Sequence, residues 1–208
     1  MLVVISSPFN LPKESGYINK LFNAGLPCLH LRKPTHNTNA VAKLLNEIAA
    51  EHHPKIKIHA GYELCNDFNL GGVHLPEKQI EQLATNKELQ QFLGNTRLEI
   101  SASFHSIAAI HSCKLCLSYG FLSPVFTSIS KNEYLGKGFS VTNMPFNTLA
   151  LGGITPHTIL KTKELGYNGA AVLGYIWQSE DILQAFNNIR NIYEQVYASV
   201  HISGQNGC

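Results

Sequence analysis

The sequence predicts one α/β domain closed into a single (β/α)8 TIM barrel. Short β-rich runs alternate with helical runs until eight strands have been counted, the pattern of a parallel sheet. The length of 208 residues suits one domain and fits two poorly. No Gly-x-Gly-x-x-Gly follows the first apolar run, which weighs against an open dinucleotide-binding sheet and leaves the barrel as the better closure. The barrel is expected over residues 1–199, with residues 200–208 as a C-terminal tail.

Val3-Val4-Ile5 marks the first strand, followed by a helix through Ile18, Leu21 and Phe22. Residues 28–32 form the second strand. Residues 39–53 carry Val41, Leu44, Leu45 and Ile48, the i, i+3, i+4, i+7 stripe of an amphipathic helix, with His52 and His53 at its solvated end. Residues 55–59 read as strand three and residues 62–70 as a short helix. Gly72-Val73-His74-Leu75 is strand four, followed by a helix over residues 77–92. Strand five is expected at residues 98–101, a short helix at 107–111 and strand six within 115–122. Residues 123–147 show no helical pattern but contain hydroxyls, Lys131, Lys137, Gly136 and Gly138; such a long loop in a compact domain is usually functional or disordered. Strand seven is residues 149–151. Thr155-Pro156 then opens a helix that Gly166 ends. Residues 170–173 form strand eight, and a last helix carries Ile182, Leu183, Phe186, Ile189, Tyr193 and Val196.

Charged residues make up only 14% of the chain and the formal net charge is +2, without any basic run. A nucleic-acid interface normally needs a clustered basic face, so that class is set aside. No apolar stretch is long enough for a bilayer, and the opening apolar run lacks a basic flank, so it reads as a strand rather than a leader. A cytoplasmic setting with no membrane partner is the expectation, and a homo-oligomer stays open. Five cysteines need not pair in that compartment. Cys113-x-x-Cys116 has metal spacing but lacks a second pair, and reads as two half-buried thiols.

In such a barrel the chemistry lies where the strands end. His30, Arg32 and Lys33 close strand two, His59 closes strand three and His74 lies in strand four. Ser101, Ser103 and His105 follow strand five. Ser123, Ser128, Ser130 and Lys131 follow strand six, Gly152-Gly153 follow strand seven, and Leu173 and Gly174 end strand eight. Cations, hydroxyls and glycines gather there without a carboxylate, which describes an anion site. Alternation points Arg32 and His30 inward and Leu29 and Leu31 outward. The planar fork of an inward arginine suits phosphate oxygens. Glycines in the last two loops let backbone N–H groups approach a phosphate. A phosphorylated small molecule is therefore the expected partner. His30, His59, His74 and His105 converge on the mouth from separate strands; satisfied inward histidines or direct ligand contacts are preferred to a metal site, because no local ligand spacing links them.

The chain resembles the thiamine phosphate synthase family, including its TenI branch. The resemblance runs from Leu2 to Ile192 and rests on Leu29-His30-Leu31-Arg32-Lys33, Gly72-Val73-His74-Leu75, Ser103-Phe104-His105-Ser106, Leu122-Ser123-Pro124-Val125-Phe126, Ser128-Ile129-Ser130-Lys131, Gly152-Gly153-Ile154 and Gly169-Ala170-Ala171-Val172. It implies a barrel that joins a pyrimidine diphosphate to a thiazole phosphate with Mg2+ or, in TenI-like members, tautomerises the thiazole phosphate. It places Arg32 on the diphosphate and His30 where the family has a pyrimidine-touching Gln. Ser128, Ser130 and Lys131 stand for its hydroxyl-lysine loop, and Gly152, Gly153, Leu173 and Gly174 lie at the thiazole phosphate. The family's acidic magnesium positions read Ala60 and Gln79, and Pro34 replaces a Lys. Neither Ala nor Gln supplies the missing charge. His105 is the implied acid–base residue, since an imidazole with a pKa of about 6.5 suits proton transfer at neutral pH. Tautomerisation is the favoured expectation. The synthase reaction and a non-catalytic, regulatory phosphate-binding barrel are the alternatives.

Overall fold

A computed structural model of the protein describes residues 1–33, 38–83, 85–93, 98–127 and 135–197. Eight parallel strands close in sequence order: β1 (Leu2–Ile5), β2 (Leu29–Leu31), β3 (Ile56–Ile58), β4 (Gly72–Leu75), β5 (Glu99–Phe104), β6 (Tyr119–Leu122), β7 (Thr148–Leu151) and β8 (Gly169–Val172). The ring is sealed by Leu2, Val3 and Val4 of β1 pairing with Ala170, Ala171 and Val172 of β8. The helices are α1 (Glu14–Asn23), α2 (Thr38–Glu47), α3 (Leu64–Asp67), α4 (Glu77–Gln82), α5 (Asn86–Leu93), α6 (Ile107–Ser112), α7 (Ile159–Glu164), α8 (Gly174–Trp177) and α9 (Ile182–Tyr197). The expected tail lies outside the described residues.

Strand alternation divides the core in two. Outward residues such as Val4, Leu29, Leu31, Ile56, Ile58, Val73 and Val172 join the helices in one large cluster. Inward Val3, Ile5, Cys28, Tyr119, Phe121, Leu149 and Ala171 form a second cluster inside the barrel. Each fully buried aliphatic side chain contributes about 1.5–3 kcal/mol relative to exposure. The inward apolar residues come chiefly from β1, β6, β7 and β8. Across from them, β2 to β5 place buried His30, Lys57, His74 and Ser101. The barrel interior is thus apolar on one side and polar on the other, and the polar side leads to the mouth.

Two helices expected as single elements are each split, for local reasons. The helix expected over residues 39–53 stops at Glu47 because the Asn19 side chain competes for its backbone. Asn19 Oδ1 accepts from Ala49 N–H at 3.0 Å, and Asn19 Nδ2 donates to the Glu47 carbonyl at 3.2 Å. The chain then runs through a 3-10 turn, Ala50–Lys55, ending at Pro54 and Lys55. His52 and His53 are therefore not a solvated helix end. Both are buried, His52 stacked on Phe22 with centroids 4.7 Å apart and His53 bonded to the Phe68 and Leu45 carbonyls at 3.0 and 3.1 Å. The helix expected over residues 77–92 divides because Thr85 and Glu88 form a capping box. Thr85 N–H donates to Glu88 Oε2 at 2.8 Å, and Glu88 N–H donates to Thr85 Oγ1 at 3.2 Å, starting α5 afresh.

The described parts of residues 123–147 contain no helix or strand. They are nevertheless pinned: Lys137 N–H donates to the Pro124 carbonyl at 3.1 Å, Gly138 N–H to the Val125 carbonyl at 3.0 Å, and Val141 N–H to the Leu165 carbonyl at 2.8 Å. Gly166 ends α7 at φ 91, and a Cβ there would run into the Val141 carbonyl.

Candidate functional site at the barrel mouth

His30 and His74 are inward residues of β2 and β4, fully enclosed at 0% and 1% exposure. His59 follows β3 and is half-buried. His30 Nδ1 lies 3.0 Å from His59 Nε2, and His30 Nε2 lies 2.6 Å from the Tyr119 hydroxyl. His59 and His74 stack at 4.2 Å. His74 Nδ1 meets Ser101 Oγ at 2.9 Å, and its Nε2 meets Ser103 Oγ at 2.7 Å. Burial, followed by the neighbouring His74 and Lys57, holds His30 well below the ordinary imidazole range. Burial and then Arg32 push His74 down to about 3. Both imidazoles are therefore neutral at pH 7.

Ser103 thus faces the mouth as a partner of His74. Arg32 is exposed just beyond β2 and close enough to lower the His74 pKa, consistent with an inward-facing guanidinium. Lys33 is different, and its expected role as a mouth cation is corrected. Its ammonium is turned into the outer layer, donating to Glu14 Oε1 at 2.7 Å, Glu14 Oε2 at 2.5 Å, and the Ser7 and Phe9 carbonyls at 3.0 Å each. Alternation explains this: Arg32 follows the inward face and Lys33 the outward one.

His105 is exposed beyond β5. Its Nδ1 lies 3.2 Å from the Ser123 carbonyl and 3.4 Å from Ser123 Oγ. A carbonyl only accepts, so Nδ1 carries the proton and Nε2 keeps the lone pair of a base. The His105 N–H donates to Glu77 Oε2 at 3.0 Å, and Lys137 Nζ donates to the His105 carbonyl at 3.4 Å. A carboxylate therefore does stand at this rim, contrary to the expectation of none. Glu77, Lys137 and Tyr119 were not identified as site residues from the sequence. Of these only Tyr119 carried a signal, as an inward position on a strand.

Gly152 and Gly153 turn the chain after β7 with φ 102 and φ 65. A Cβ on Gly153 would lie 2.5 Å from the Thr127 carbonyl, so only glycine admits this close passage. Leu173 and Gly174 follow β8, where Gly174 opens α8, so both glycine turns lie on neighbouring strands at the same end of the barrel. Ser128, Ser130 and Lys131 lie outside the described residues.

The magnesium that the resemblance implies does not fit these groups. Ala60 offers no side-chain ligand, and Gln79 Oε1 accepts from the Tyr62 hydroxyl at 3.3 Å. Glu77, the carboxylate on the spot, is engaged by the His105 backbone. Magnesium prefers carboxylate and phosphate oxygens in an octahedral shell, and a wall of imidazoles supplies none. The cysteine pair lies away from the mouth, flanking the segment between α6 and β6; Cys113 is half-buried and Cys116 exposed. No helix among the described residues is long and apolar enough to cross a membrane.

Known proteins align with this architecture. The thiamine-phosphate synthase of Synechococcus sp. (strain WH7803) is 26% identical over 73% of this chain, and that of Prochlorococcus marinus is 29% identical over 71%. The matched part is 43% of each relative, so the chain spans less than half the length of those curated proteins. Among solved structures, thiamine phosphate pyrophosphorylase from Bacteroides thetaiotaomicron is 26% identical with a TM-score of 0.70, over 92% of this chain and 96% of that one. The corresponding protein from Pyrococcus furiosus, 20% identical with a TM-score of 0.72 over 94% of this chain and 96% of that one, shares the fold. The TMP-TENI family model, described as thiamine monophosphate synthase, matches residues 2–176, and the chain belongs to that family.

Proposed function

We propose that the mouth of this barrel binds a thiazole phosphate and moves a proton on its ring, the tautomerisation found in the TenI branch. The observation that carries this reading is the orientation of His105. Its Nδ1–H is tied to the Ser123 carbonyl, so Nε2 is presented as a base at the rim. The Glu77 carboxylate and the Lys137 ammonium hold its backbone from two sides. A positioned imidazole of this kind contributes typically about 10²- to 10⁴-fold to a proton-transfer step. Arg32 supplies the cation, and the turns at Gly152-Gly153 and Leu173-Gly174 bring backbone near the phosphate. Proton transfer also needs no diphosphate departure, and so makes no demand on the acids absent at Ala60 and Gln79.

The second reading is the synthase reaction, joining a pyrimidine diphosphate to the thiazole phosphate. It is favoured by the names of the relatives given above, which are synthases or pyrophosphorylases. Two assays on the purified protein separate the readings. One supplies both substrates with Mg2+ and measures thiamine phosphate; the other follows aromatisation of the thiazole tautomer. Aromatisation that falls about 10²-fold or more in His105→Ala, without matching synthase turnover, is the expected result. Thiamine phosphate formed at a comparable rate would replace the first reading with the second. Phosphate-ligand binding without either reaction would leave a binding barrel.

A further inference from the structure

His30, His59 and His74 stand out because three strands bring three imidazoles to one point and the proton transfer proposed above uses none of them. Their nearest ring nitrogens all lie within 4.8 Å of one another. We propose that these three histidines form a binding site for a borderline transition-metal dication of the zinc class, in the floor of the barrel mouth.

The hydrogen-bond pattern selects the ligand atoms. Ser101 Oγ donates to the Val73 carbonyl at 3.3 Å, so toward His74 it is an acceptor, and His74 Nδ1 carries the proton. That leaves the His74 Nε2 lone pair on the side of Ser103, whose hydroxyl donates to it at 2.7 Å and is free to rotate away. Tyr119 engages His30 on Nε2 and leaves Nδ1 facing His59. Ser101 and Tyr119 are thus outer partners of the kind that fix the tautomer and plane of metal-ligating histidines. His30 Nδ1 and His59 Nε2 share one proton across 3.0 Å. Metal binding requires the tautomers in which each of the two neutral rings keeps its one proton on the outer nitrogen, so that both facing lone pairs turn to the cation and no proton need leave the protein.

The geometry needs only a modest closure. Three nitrogens about 2.0–2.1 Å from a tetrahedral zinc lie roughly 3.3 Å apart. The His30–His59 pair is already inside that spacing, and one ring nitrogen from each of the three histidines lies within 4.8 Å of the others. His30 and His74 are enclosed, whereas His59, just beyond β3, is only half-buried. Neutral imidazoles suit zinc, copper or nickel rather than magnesium. The nearby charges do not forbid a cation: Lys57 is neutralised by Glu99 at 2.7 Å, and Arg32 together with a dication would draw an anion into the open coordination position. The site does not depend on which reaction the mouth performs.

The test uses the full chain, stripped of metal by a chelator, and reads binding rather than turnover. Cobalt should give the visible bands of a low-coordinate nitrogen site at one ion per chain, and zinc should compete it away. His59→Gln should weaken zinc binding at least about 100-fold, beyond the 10- to 100-fold range of an outer-shell partner, with the Tm in chelator unchanged. Cys116→Ser and His111→Gln should bind like the parent. If His59→Gln folds poorly, imidazole nitrogen NMR of the parent decides, since zinc must move the ring signals of all three histidines. No binding, binding that survives His59→Gln in a folded protein, binding lost with Cys116 or His111, or unmoved ring signals would overturn the site and leave a hydrogen-bonded histidine cluster.

Discussion

Replacing Lys33 by Met keeps an apolar stem of similar length and removes the ammonium. Four acceptors then lose their donor: both Glu14 oxygens and the Ser7 and Phe9 carbonyls. Lys33 and Glu14 are only 8% and 5% exposed, so water cannot readily take its place. Breaking one side of a buried ion pair costs about 3–5 kcal/mol, because the surviving charge is left without compensation. In a chain of this size that corresponds to a fall in Tm of roughly 6–20 °C, at about 2–4 °C per kcal/mol. The loss should itself depend on pH. Burial already raises the Glu14 carboxyl above its ordinary value, more strongly than Lys33 lowers it. Without Lys33 the group protonates still more readily, so the penalty is fullest at high pH and shrinks as pH falls through the raised pKa. Urea denaturation of Lys33→Met at pH 8 and pH 5.5 measures both effects. Adding Glu14→Leu should return most of the lost stability. Binding of inorganic phosphate gives the contrast: Arg32→Ala should weaken it by roughly 10-fold or more, while folded Lys33→Met should not. A Lys33→Met variant as stable as the parent but deficient in phosphate binding would refute the assignment and restore Lys33 to the anion site.

Gly153→Ala forces a side chain into φ 65 and against the Thr127 carbonyl. A cost of about 2–4 kcal/mol is expected from the left-handed backbone and overpacking together, read as a lowered urea midpoint. The buried histidines should make the metal-free protein acid-sensitive. Their folded pKa values lie below the unfolded value of about 6.5, so their contribution is complete above that pH and is lost as pH falls towards the depressed values. Between pH 6.5 and 5 each contributes up to about 2 kcal/mol of lost stability, at about 1.4 kcal/mol per pH unit. His74→Gln, compared with the parent in chelator by thermal melting, should show the shallower decline; identical slopes would mean that His74 titrates normally.

The barrel was legible because its strands are short apolar runs with an inward–outward period, and the same period placed His30 inside, with Arg32 exposed just beyond the end of that strand. Boundaries failed where side chains compete with backbone. Asn19, remote in sequence from the helix it ends, carries no local mark of that role. Thr85-x-x-Glu88 did carry one, the capping-box spacing, but was overridden by the apolar periodicity around it. Lys33 was misplaced because a cation beside Arg32 looks like a second anion ligand until alternation is carried one residue further. The histidines were legible as a set facing the mouth, but not which of the four would meet: His30, His59 and His74 come together once the sheet closes and strands two, three and four pair, while His105 bonds to Ser123 at the rim.

That closure also explains how one interior supports both packing and chemistry. A barrel core filled evenly with apolar side chains would carry no buried polar group at the base of its mouth. Here the apolar layer from β1, β6, β7 and β8, with Phe121 against both His30 and His74 at 4.7 and 4.8 Å, lowers the local polarity and holds the imidazoles neutral. The hydroxyls of Ser101, Ser103 and Tyr119 satisfy their nitrogens. Neutrality and orientation are what both a hydrogen-bonded cluster and a metal ligand set require. The polar half of the barrel is therefore stabilised by the same contacts that prepare it to hold something, whereas His105 lies exposed on the rim, its ring oriented by Ser123 and its backbone held by Glu77 and Lys137.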